Sequence, residues 1–172
     1  MKLLVTGAAG LIGGYVAREM VGRGHTVRGF DLREADVPGV EWSQGDLRDL
    51  DVMEAAVDGM DAVCHLAAIP NSRPRSEWPE VVDVNWRGTY IVMEAMARRG
   101  VRRVVFASSA CVLGGVCNNR YRPKPAYLPF DEGSVVETDE PYSLLKMVNE
   151  QTGRMFQLNG LFDTAIAMRF WN

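Results

Sequence analysis

The sequence has few cysteines, no block of basic residues and no long apolar segment. Its three cysteines, at positions 64, 111 and 117 of 172 residues, lack metal-binding spacing, so we expect reduced thiols and no metal site. The formal net charge is −3, and no Lys/Arg block suggests a nucleic-acid-binding surface. The longest mostly apolar stretch, 62–70, is too short to span a bilayer, and we expect no signal peptide before the first predicted strand. These absences predict a cytoplasmic protein without a nucleic-acid or membrane partner.

What the sequence does contain is a regular alternation of short apolar runs and longer runs with helical spacing. The short runs predict strands at 2–5, 26–30, 40–43, 61–66, 103–107 and 164–170. The longer runs predict helices at 11–23, 51–57, 80–99 and 142–159. Such repeats favour a parallel sheet with helices on both faces, and right-handed crossovers with a central reversal give the strand order 3-2-1-4-5-6. We therefore predict one α/β domain over 1–172, a doubly wound Rossmann-type fold.

One segment breaks this alternation. Residues 114–141 have no clear period and contain four prolines, at positions 123, 125, 129 and 141. A loop of this length in a compact domain is usually either functional or disordered. We expect it near the substrate cleft.

A glycine-rich turn directly follows the first predicted strand and opens the first predicted helix. Gly7 allows the tight turn, Gly10 allows the backbone to approach a diphosphate, and Gly13 allows the helix to pack closely on the strand. The start of the helix offers unpaired N–H groups and a partial positive charge to the phosphates. In this context the pattern predicts a dinucleotide site. The alternative is a tight turn without a ligand.

An acidic residue at the end of the second predicted strand indicates which dinucleotide binds. Asp31 can accept hydrogen bonds from the ribose 2′- and 3′-hydroxyls and would repel a 2′-phosphate, which favours NAD over NADP. Arg33 is the counter-argument, because it could pair with a 2′-phosphate. Asp46, after the third strand, could either contact the adenine or cap the next helix.

These features belong to a longer series of motifs. The series comprises the glycine turn, Asp31, Gly45-Asp46-Leu47, His65-Leu66-Ala67-Ala68, Val84-Asn85-Trp86-Arg87-Gly88-Thr89, Ser108-Ser109 and Tyr142-Ser143-Leu144-Leu145-Lys146. In this order it resembles the extended short-chain dehydrogenases/reductases, the family of NAD-dependent epimerases and dehydratases that includes the sugar-nucleotide epimerases. The resemblance covers the whole chain.

The resemblance implies roles for individual residues. Together with the residues argued above, the predicted cofactor-binding set is Gly7, Gly10, Leu11, Ile12, Gly13, Asp31, Arg33, Asp46, Leu47, Leu66, Ala67, Ala68, Asn85, Ser108, Tyr142 and Lys146. Leu11 and Ile12 would lie under the diphosphate, and residues 66–68 would line the nicotinamide side. Ser109 would bind the reacting oxygen, and Asn172 matches an asparagine that often contacts the substrate. We interpret His65 as a core or strand-end histidine rather than a catalytic one.

A tyrosine and a lysine could carry the chemistry. Tyr142 and Lys146 are four residues apart and so share one helix face. A free tyrosine titrates near ~10, and a nearby ammonium together with a positive nicotinamide ring would lower that pKa. Such a phenol could accept the proton of a substrate hydroxyl while the carbon gives hydride to the nicotinamide. We predict Ser109, Tyr142 and Lys146 as the catalytic residues.

Two departures from the family pattern narrow the expected reaction. Ala110-Cys111 stand where dehydratases of the family have an Asp-Glu pair, which disfavours dehydration. Leu113 stands where the family tends to have tyrosine. The remaining reactions are oxidation, reduction or epimerisation at a secondary alcohol of a sugar-like or nucleotide-sugar substrate.

The chain ends where family members continue into a substrate-covering domain, so we expect that domain to be largely absent. The chain alone should then bind NAD but turn over substrate poorly. The alternative is a dinucleotide-binding module with little or no activity of its own. The helices at 80–99 and 142–159 are apolar on more than one face, which predicts a homodimer; the alternative is a better-buried monomer.

Overall fold

The computed structural model describes residues 1–70, 74–113, 124 and 127–171. Six strands in these ranges form one sheet: β1 (Lys2–Thr6), β2 (Thr26–Asp31), β3 (Val40–Gln44), β4 (Ala62–His65), β5 (Arg103–Ser109) and β6 (Thr164–Phe170). Their order is β3-β2-β1-β4-β5-β6, and all neighbours are parallel, which confirms the predicted topology. The order reverses between β1 and β4, so the carboxyl ends of these two strands flank the expected ligand crevice.

Five α-helices connect the strands in the described ranges: α1 (Leu11–Gly22), α2 (Leu50–Val57), α3 (Trp78–Val82), α4 (Thr89–Arg98) and α5 (Pro141–Leu158). Acidic side chains cap two of them. Asp49 accepts hydrogen bonds from two first-turn amides of α2, and Glu140 does the same for α5. The cap of α2 is therefore Asp49, and the alternative that Asp46 caps this helix is wrong.

The core has two layers, one on each face of the sheet. On one face, Leu4 and Phe106 pack with helix residues such as Met93 and Phe156, all 2% exposed or less. The smaller layer on the other face includes Val5 and Val27 from the sheet and Ala17 from α1. Parallel strands are normally buried on both faces, which is why their sequences read as continuous apolar runs.

The predicted helix at 80–99 is interrupted in the structure. A 3₁₀ turn at Arg75–Glu77 leads into α3, and a π turn at Asp83–Gly88 separates α3 from α4. A π turn inserts one residue into the helical repeat, which apolar periodicity does not reveal. Gly88 ends this turn against Leu47, and a Cβ at residue 88 would lie 1.8 Å from the Leu47 Cδ1 atom. This close approach brings the segment against the loop after β3.

Strand β6 is the last strand of the sheet within the described residues. It pairs with β5 from Thr164 to Phe170. Ala165 and Ala167 face the larger core layer. Ile166 and Met168 alternate with them and remain 49% and 46% exposed. No helix of the described residues has the length and apolar character needed to cross a membrane.

Candidate active site

The glycine-rich turn joins β1 to α1 at the centre of the sheet. Gly7 has a φ of 71°, a conformation that side chains disfavour, and its amide donates to the Phe30 carbonyl at 2.8 Å. A Cβ at residue 7 would lie 2.7 Å from the Ala67 amide nitrogen. The turn after β1 is therefore in contact with the segment after β4.

The space for a Cβ atom is even smaller at Gly13 than at Gly7, so a side chain at residue 13 should destabilise the protein. A Cβ at residue 13 would lie 2.1 Å from the Gly7 carbonyl oxygen, whereas a Cβ at residue 14 would lie 3.5 Å from the Ala8 oxygen. Because the first clash is with backbone, Gly13→Ala should lower the free energy of unfolding by about 3 kcal/mol.

The neighbouring Gly14→Ala variant is the matched control for this substitution. It should leave the free energy of unfolding unchanged or raise it by up to ~1 kcal/mol, because alanine is the better helix former. Urea denaturation of both variants measures the difference. Equal stability of the two would contradict the packing role of Gly13.

Asp31 lies beside the glycine-rich turn. Its carboxylate accepts hydrogen bonds from the Ala9 amide at 3.1 Å and the Leu32 amide at 2.8 Å. At the start of α1, Leu11 and Ile12 are 78% and 43% exposed, although both are large and apolar. The Asp31 carboxylate at the end of β2 and the exposed first turn of α1 therefore both border the glycine-rich turn. Arg33 is exposed in the adjacent loop.

The two predicted residues after β3 already have partners within the protein. The Arg48 guanidinium binds the Asp46 carboxylate and also donates to Asp83 at 2.8 Å. The hydrogen bond from Arg48 lowers the pKa of the Asp46 carboxyl below its usual value. Leu47 packs against the larger core layer. Asp46 is therefore ionised and paired in the protein alone.

Residues 66–69 follow β4 and pass next to the glycine-rich turn. The amides of Leu66 and Ala67 donate to the Thr6 hydroxyl oxygen at 3.2 and 3.3 Å. The buried Asn85 side chain binds the backbone of Ile69 twice: its Oδ1 accepts from the amide at 2.7 Å, and its Nδ2 donates to the carbonyl at 2.8 Å. The segment is therefore fixed at both ends.

The three predicted catalytic residues are brought together between β5 and α5. Ser109 ends β5, and its hydroxyl forms a hydrogen bond with the Tyr142 phenol. Lys146 Nζ lies 5.5 Å from the centroid of the Tyr142 ring and donates to the Ala107 carbonyl at 2.8 Å. Lys146 is 4% exposed, and this burial lowers the pKa of its ammonium to about 8.

In the protein alone, the pKa of the Tyr142 phenol is raised rather than lowered. Burial raises the pKa of the Tyr142 phenol; the hydrogen bond with Ser109 lowers it, and the Glu140 carboxylate raises it again. The Lys146 ammonium is paired with the Ala107 carbonyl and does not offset the burial. Helix spacing predicted that the two side chains are close, but it did not predict how the ammonium is paired.

A partly buried ion pair supports the end of β5, and no sequence motif predicted it. The Arg169 guanidinium donates to both oxygens of Glu150, at 2.9 and 2.8 Å, and Ser108 donates its hydroxyl to the same carboxylate. The signal was available, since Glu150 is four residues after Lys146 and so on the same helix face. The Ser108 hydroxyl is thus engaged within the protein.

The described part of the loop at 114–141 lies near the end of β6. Leu113 forms a β-bridge with Val136, and the rings of Phe130 and Trp171 are 6.5 Å apart. The predicted substrate residue, Asn172, lies outside the described residues, as do 114–123 and 125–126.

The expectation of three reduced thiols is wrong for Cys111, which is disulfide-bonded, whereas Cys64 is free. The number and spacing of cysteines do not show which of them the fold brings together. The described residues contain no group of three or more His, Cys, Asp or Glu side chains that could hold a metal ion.

Comparison with known proteins gives matches along almost the whole chain. The sequence profile of the NAD dependent epimerase/dehydratase family matches residues 3–170. Sterol demethylase protein B of Methylococcus capsulatus is 35% identical over 175 residues, covering 96% of this chain and 50% of that protein. UDP-glucose 4-epimerase of Streptomyces lividans is 34% identical over 162 residues, covering 85% of this chain and 44% of the epimerase.

Solved structures give the same result. A short-chain dehydrogenase/reductase superfamily protein from Agrobacterium tumefaciens, with bound NAD, is 35% identical and superposes with a TM-score of 0.86. The match covers 99% of this chain and 49% of that chain. The chain therefore spans about half the length of the relatives that it matches.

Proposed function

The chain belongs to the NAD-dependent epimerase/dehydratase family, and on this basis we propose that residues 1–172 act as one NAD-binding domain of an enzyme acting on secondary alcohols. The substrate that we propose is sugar-like or a nucleotide-sugar. The observation that carries the proposal is the glycine-rich turn beside Asp31 on one side of the crevice, with Ser109, Tyr142 and Lys146 on the other.

The residues after β1 and β2 fit a dinucleotide. Gly7 and Gly13 leave no room for a Cβ, so the turn presents backbone, and the amides at the start of α1 can receive a diphosphate. The Asp31 carboxylate, beside this turn, suits the ribose hydroxyls of NAD better than the 2′-phosphate of NADP. The other proposed cofactor residues are Gly10, Leu11, Ile12, Arg33, Asp46, Leu47, Leu66, Ala67, Ala68, Asn85, Ser108, Tyr142 and Lys146.

The chemistry that we propose needs an acid/base and a hydrogen-bond donor for the reacting oxygen. NAD, when bound, supplies the hydride acceptor and a positive charge near the phenol. The Tyr142 oxygen accepts the proton of the substrate hydroxyl as the alcohol carbon loses its hydride and becomes a carbonyl. Ser109 holds the substrate oxygen, and Lys146, 5.5 Å from the centroid of the Tyr142 ring, would add to the positive charge of bound NAD in favouring the ionised phenol.

Oxidation and epimerisation differ only in the fate of the reduced cofactor. In oxidation NADH is released, whereas in epimerisation the hydride returns to the opposite face of the carbonyl. The absence of an Asp-Glu pair after Ser109 speaks against dehydration. UDP-glucose is a suitable first substrate, because a relative at 34% identity is named UDP-glucose 4-epimerase.

The test combines binding with turnover. Isothermal titration of the 172-residue chain with NAD and NADP should show binding, with the higher affinity for NAD. Incubation with NAD and UDP-glucose, free aldoses and non-sugar secondary alcohols should give either NADH absorbance or an epimerised product. Absence of NAD binding would overturn the proposal.

Charge removal at Asp31 should change which cofactor binds. Asp31→Asn keeps the side-chain shape but loses the charge that binds the ribose and repels a 2′-phosphate. We expect NAD affinity to fall about tenfold and NADP affinity to rise, measured by titration of both nucleotides. Asp36→Asn, an exposed acid of the same loop, is the matched control and should change neither affinity. An unchanged NAD/NADP ratio in Asp31→Asn would reject the role of Asp31.

A second candidate function is a dinucleotide-binding module with little or no activity of its own. The observation that favours it is the glycine-rich turn beside Asp31, which can hold a dinucleotide whether or not the chain turns over an alcohol. NAD binding without turnover of any alcohol by the wild-type chain would support this candidate over the enzyme.

The proposed assembly is a homodimer through the helices at 80–99 and 142–159. It is supported by large apolar side chains on these helices that remain 40–49% exposed: Trp86, Tyr90, Leu144 and Met155. Light scattering at twice the 19.1 kDa chain mass would agree with a dimer. A cytoplasmic location also stays a prediction.

A further inference from the structure

A chain of buried polar side chains crosses the molecule behind the candidate site. Thr6, His65, Thr89 and Asn149 come from β1, β4, α4 and α5, and each is 4% exposed or less. Thr6 Oγ1 lies 2.7 Å from His65 Nδ1, and His65 Nε2 lies 2.9 Å from Thr89 Oγ1. The Thr89 hydroxyl and the Asn149 amide both donate to the Asn85 carbonyl at 2.7 Å. We call these five residues the polar network.

The hydrogen bonds of the polar network have one consistent direction. Thr6 Oγ1 already accepts the amides of Leu66 and Ala67, so its own proton points to His65 Nδ1. The imidazole is then neutral with its proton on Nε2, which donates to Thr89 Oγ1. Thr89 in turn donates to the Asn85 carbonyl. Each donor has an acceptor, from β1 to the π turn.

Both ends of the polar network hold the segment 66–69. At one end Thr6 binds the amides of Leu66 and Ala67, and at the other the Asn85 side chain binds both backbone groups of Ile69. The segment lies against the glycine-rich turn. Any change in the position of Asn85 therefore moves the wall of the crevice.

The buried Asn149 side chain has one atom that forms hydrogen bonds and another that destabilises the fold. Among the described residues its Oδ1 atom has no hydrogen-bond partner although the side chain is 2% exposed. A buried polar atom without a partner destabilises a fold, and an apolar side chain of similar size would avoid that penalty. Its Nδ2 atom donates to the Asn85 carbonyl at 2.7 Å and to Thr89 Oγ1 at 3.2 Å, and Asn149 is three residues after Lys146 on α5.

We propose that Thr89 and Asn149 are positioning residues for the nicotinamide half of NAD. Through the Asn85 carbonyl they fix the π turn, and through the Asn85 side chain they set the distance of segment 66–69 from the glycine-rich turn and from α5. The inference rests on the proposed function, because it takes the nicotinamide to lie beside segment 66–69. The adenosine half binds on the other side of the crevice, at Asp31, and does not depend on the network.

The test compares the two halves of NAD, because only binding of the nicotinamide half should depend on the polar network. Thr89→Val keeps the side-chain shape but removes the hydroxyl, whereas Thr89→Ser keeps the hydroxyl. We expect Thr89→Val to weaken NAD binding about tenfold and to leave the affinity for ADP, which carries only the adenosine diphosphate half, within about twofold. Thr89→Ser should restore NAD affinity to near the wild-type value. Isothermal titration with NAD and ADP gives all these constants without requiring turnover.

A second variant covers the case in which Thr89→Val does not fold, as judged by far-UV circular dichroism. Asn149→Ala keeps the bond from Thr89 to the Asn85 carbonyl and should show the same selective loss of NAD affinity. A parallel loss of NAD and ADP affinity in the folded variants, or no loss of either, overturns the positioning role. Failure of the wild type to bind NAD overturns the proposed function itself, so the two failures are distinguishable.

Discussion

Replacing Tyr142 by phenylalanine should lower the rate of alcohol oxidation or epimerisation by about 10²–10⁴-fold, the usual contribution of a positioned general acid/base. Phenylalanine keeps the ring over which Lys146 Nζ lies at 5.5 Å and loses only the hydroxyl that binds Ser109. NAD affinity should therefore change little. The measurement is the initial rate with whichever alcohol the wild-type chain turns over, together with an NAD titration.

Tyr90→Phe is the matched control for this substitution. Tyr90 lies on α4 rather than at the crevice. Its side chain is 40% exposed, and its ring contacts the ring of Phe156. Loss of its hydroxyl should leave the rate within about twofold of the wild type. A Tyr142→Phe variant as active as Tyr90→Phe would remove Tyr142 from the proposed chemistry, even if NAD binding is unchanged.

The stability of the protein should fall on mild acidification because of His65. Burial, with a smaller contribution from the nearby Lys146 ammonium, lowers the pKa of the His65 imidazole to about 3 from a usual 6.5. Below pH 6.5 the unfolded chain therefore binds a proton at His65 that the folded protein does not bind until about pH 3. The contribution of neutral His65 to stability is thus complete above pH 6.5 and declines as the pH falls.

Between pH 6.5 and 4.5 the effect of His65 on stability can be measured separately from that of the carboxylates. Carboxyl groups whose pKa is lowered in the folded protein, such as Asp46 and Glu150, lose their stabilising effect mainly below pH 4.5. We expect the free energy of unfolding to fall by about 2 kcal/mol across these two pH units, measured by urea denaturation followed by tryptophan fluorescence.

His65→Gln should be less stable at neutral pH, because it loses part of the polar network, but its stability should not decline over the same window. His25→Gln replaces the other histidine of the chain and should keep the wild-type slope. A wild-type protein whose stability is flat over these two pH units would rule out a buried neutral His65.

The topology and much of the candidate site could be predicted from the sequence because they depend on local patterns. Strand order followed from the alternation of apolar runs and the handedness of crossovers. The turn at Gly7 to Gly13 followed from the need for backbone without side chains. The proximity of Tyr142 and Lys146 followed from helix geometry, and the position of Asp31 followed from the end of the second apolar run.

The features that the sequence did not reveal depend on contacts between distant segments. The π turn before Thr89 has no periodic signature. The pairing of Lys146 with the Ala107 carbonyl and the burial that raises the pKa of Tyr142 both depend on how α5 lies on β5. His65 was interpreted as a core histidine, which agrees with its burial, but its link from Thr6 to Thr89 joins three separate elements. Apolar periodicity in the sequence indicates which face of a helix or strand is buried, but not which polar groups form hydrogen bonds there.

The outer side of β6 has a practical consequence for handling the protein. An edge strand with free backbone groups is a template on which another chain can add in register. Ile166 and Met168, about half exposed on one face, would give such an addition an apolar surface. Because no described strand pairs with the outer side of β6, we expect concentrated solutions of the 172-residue chain to self-associate at this edge, and Ile166→Lys should reduce that association.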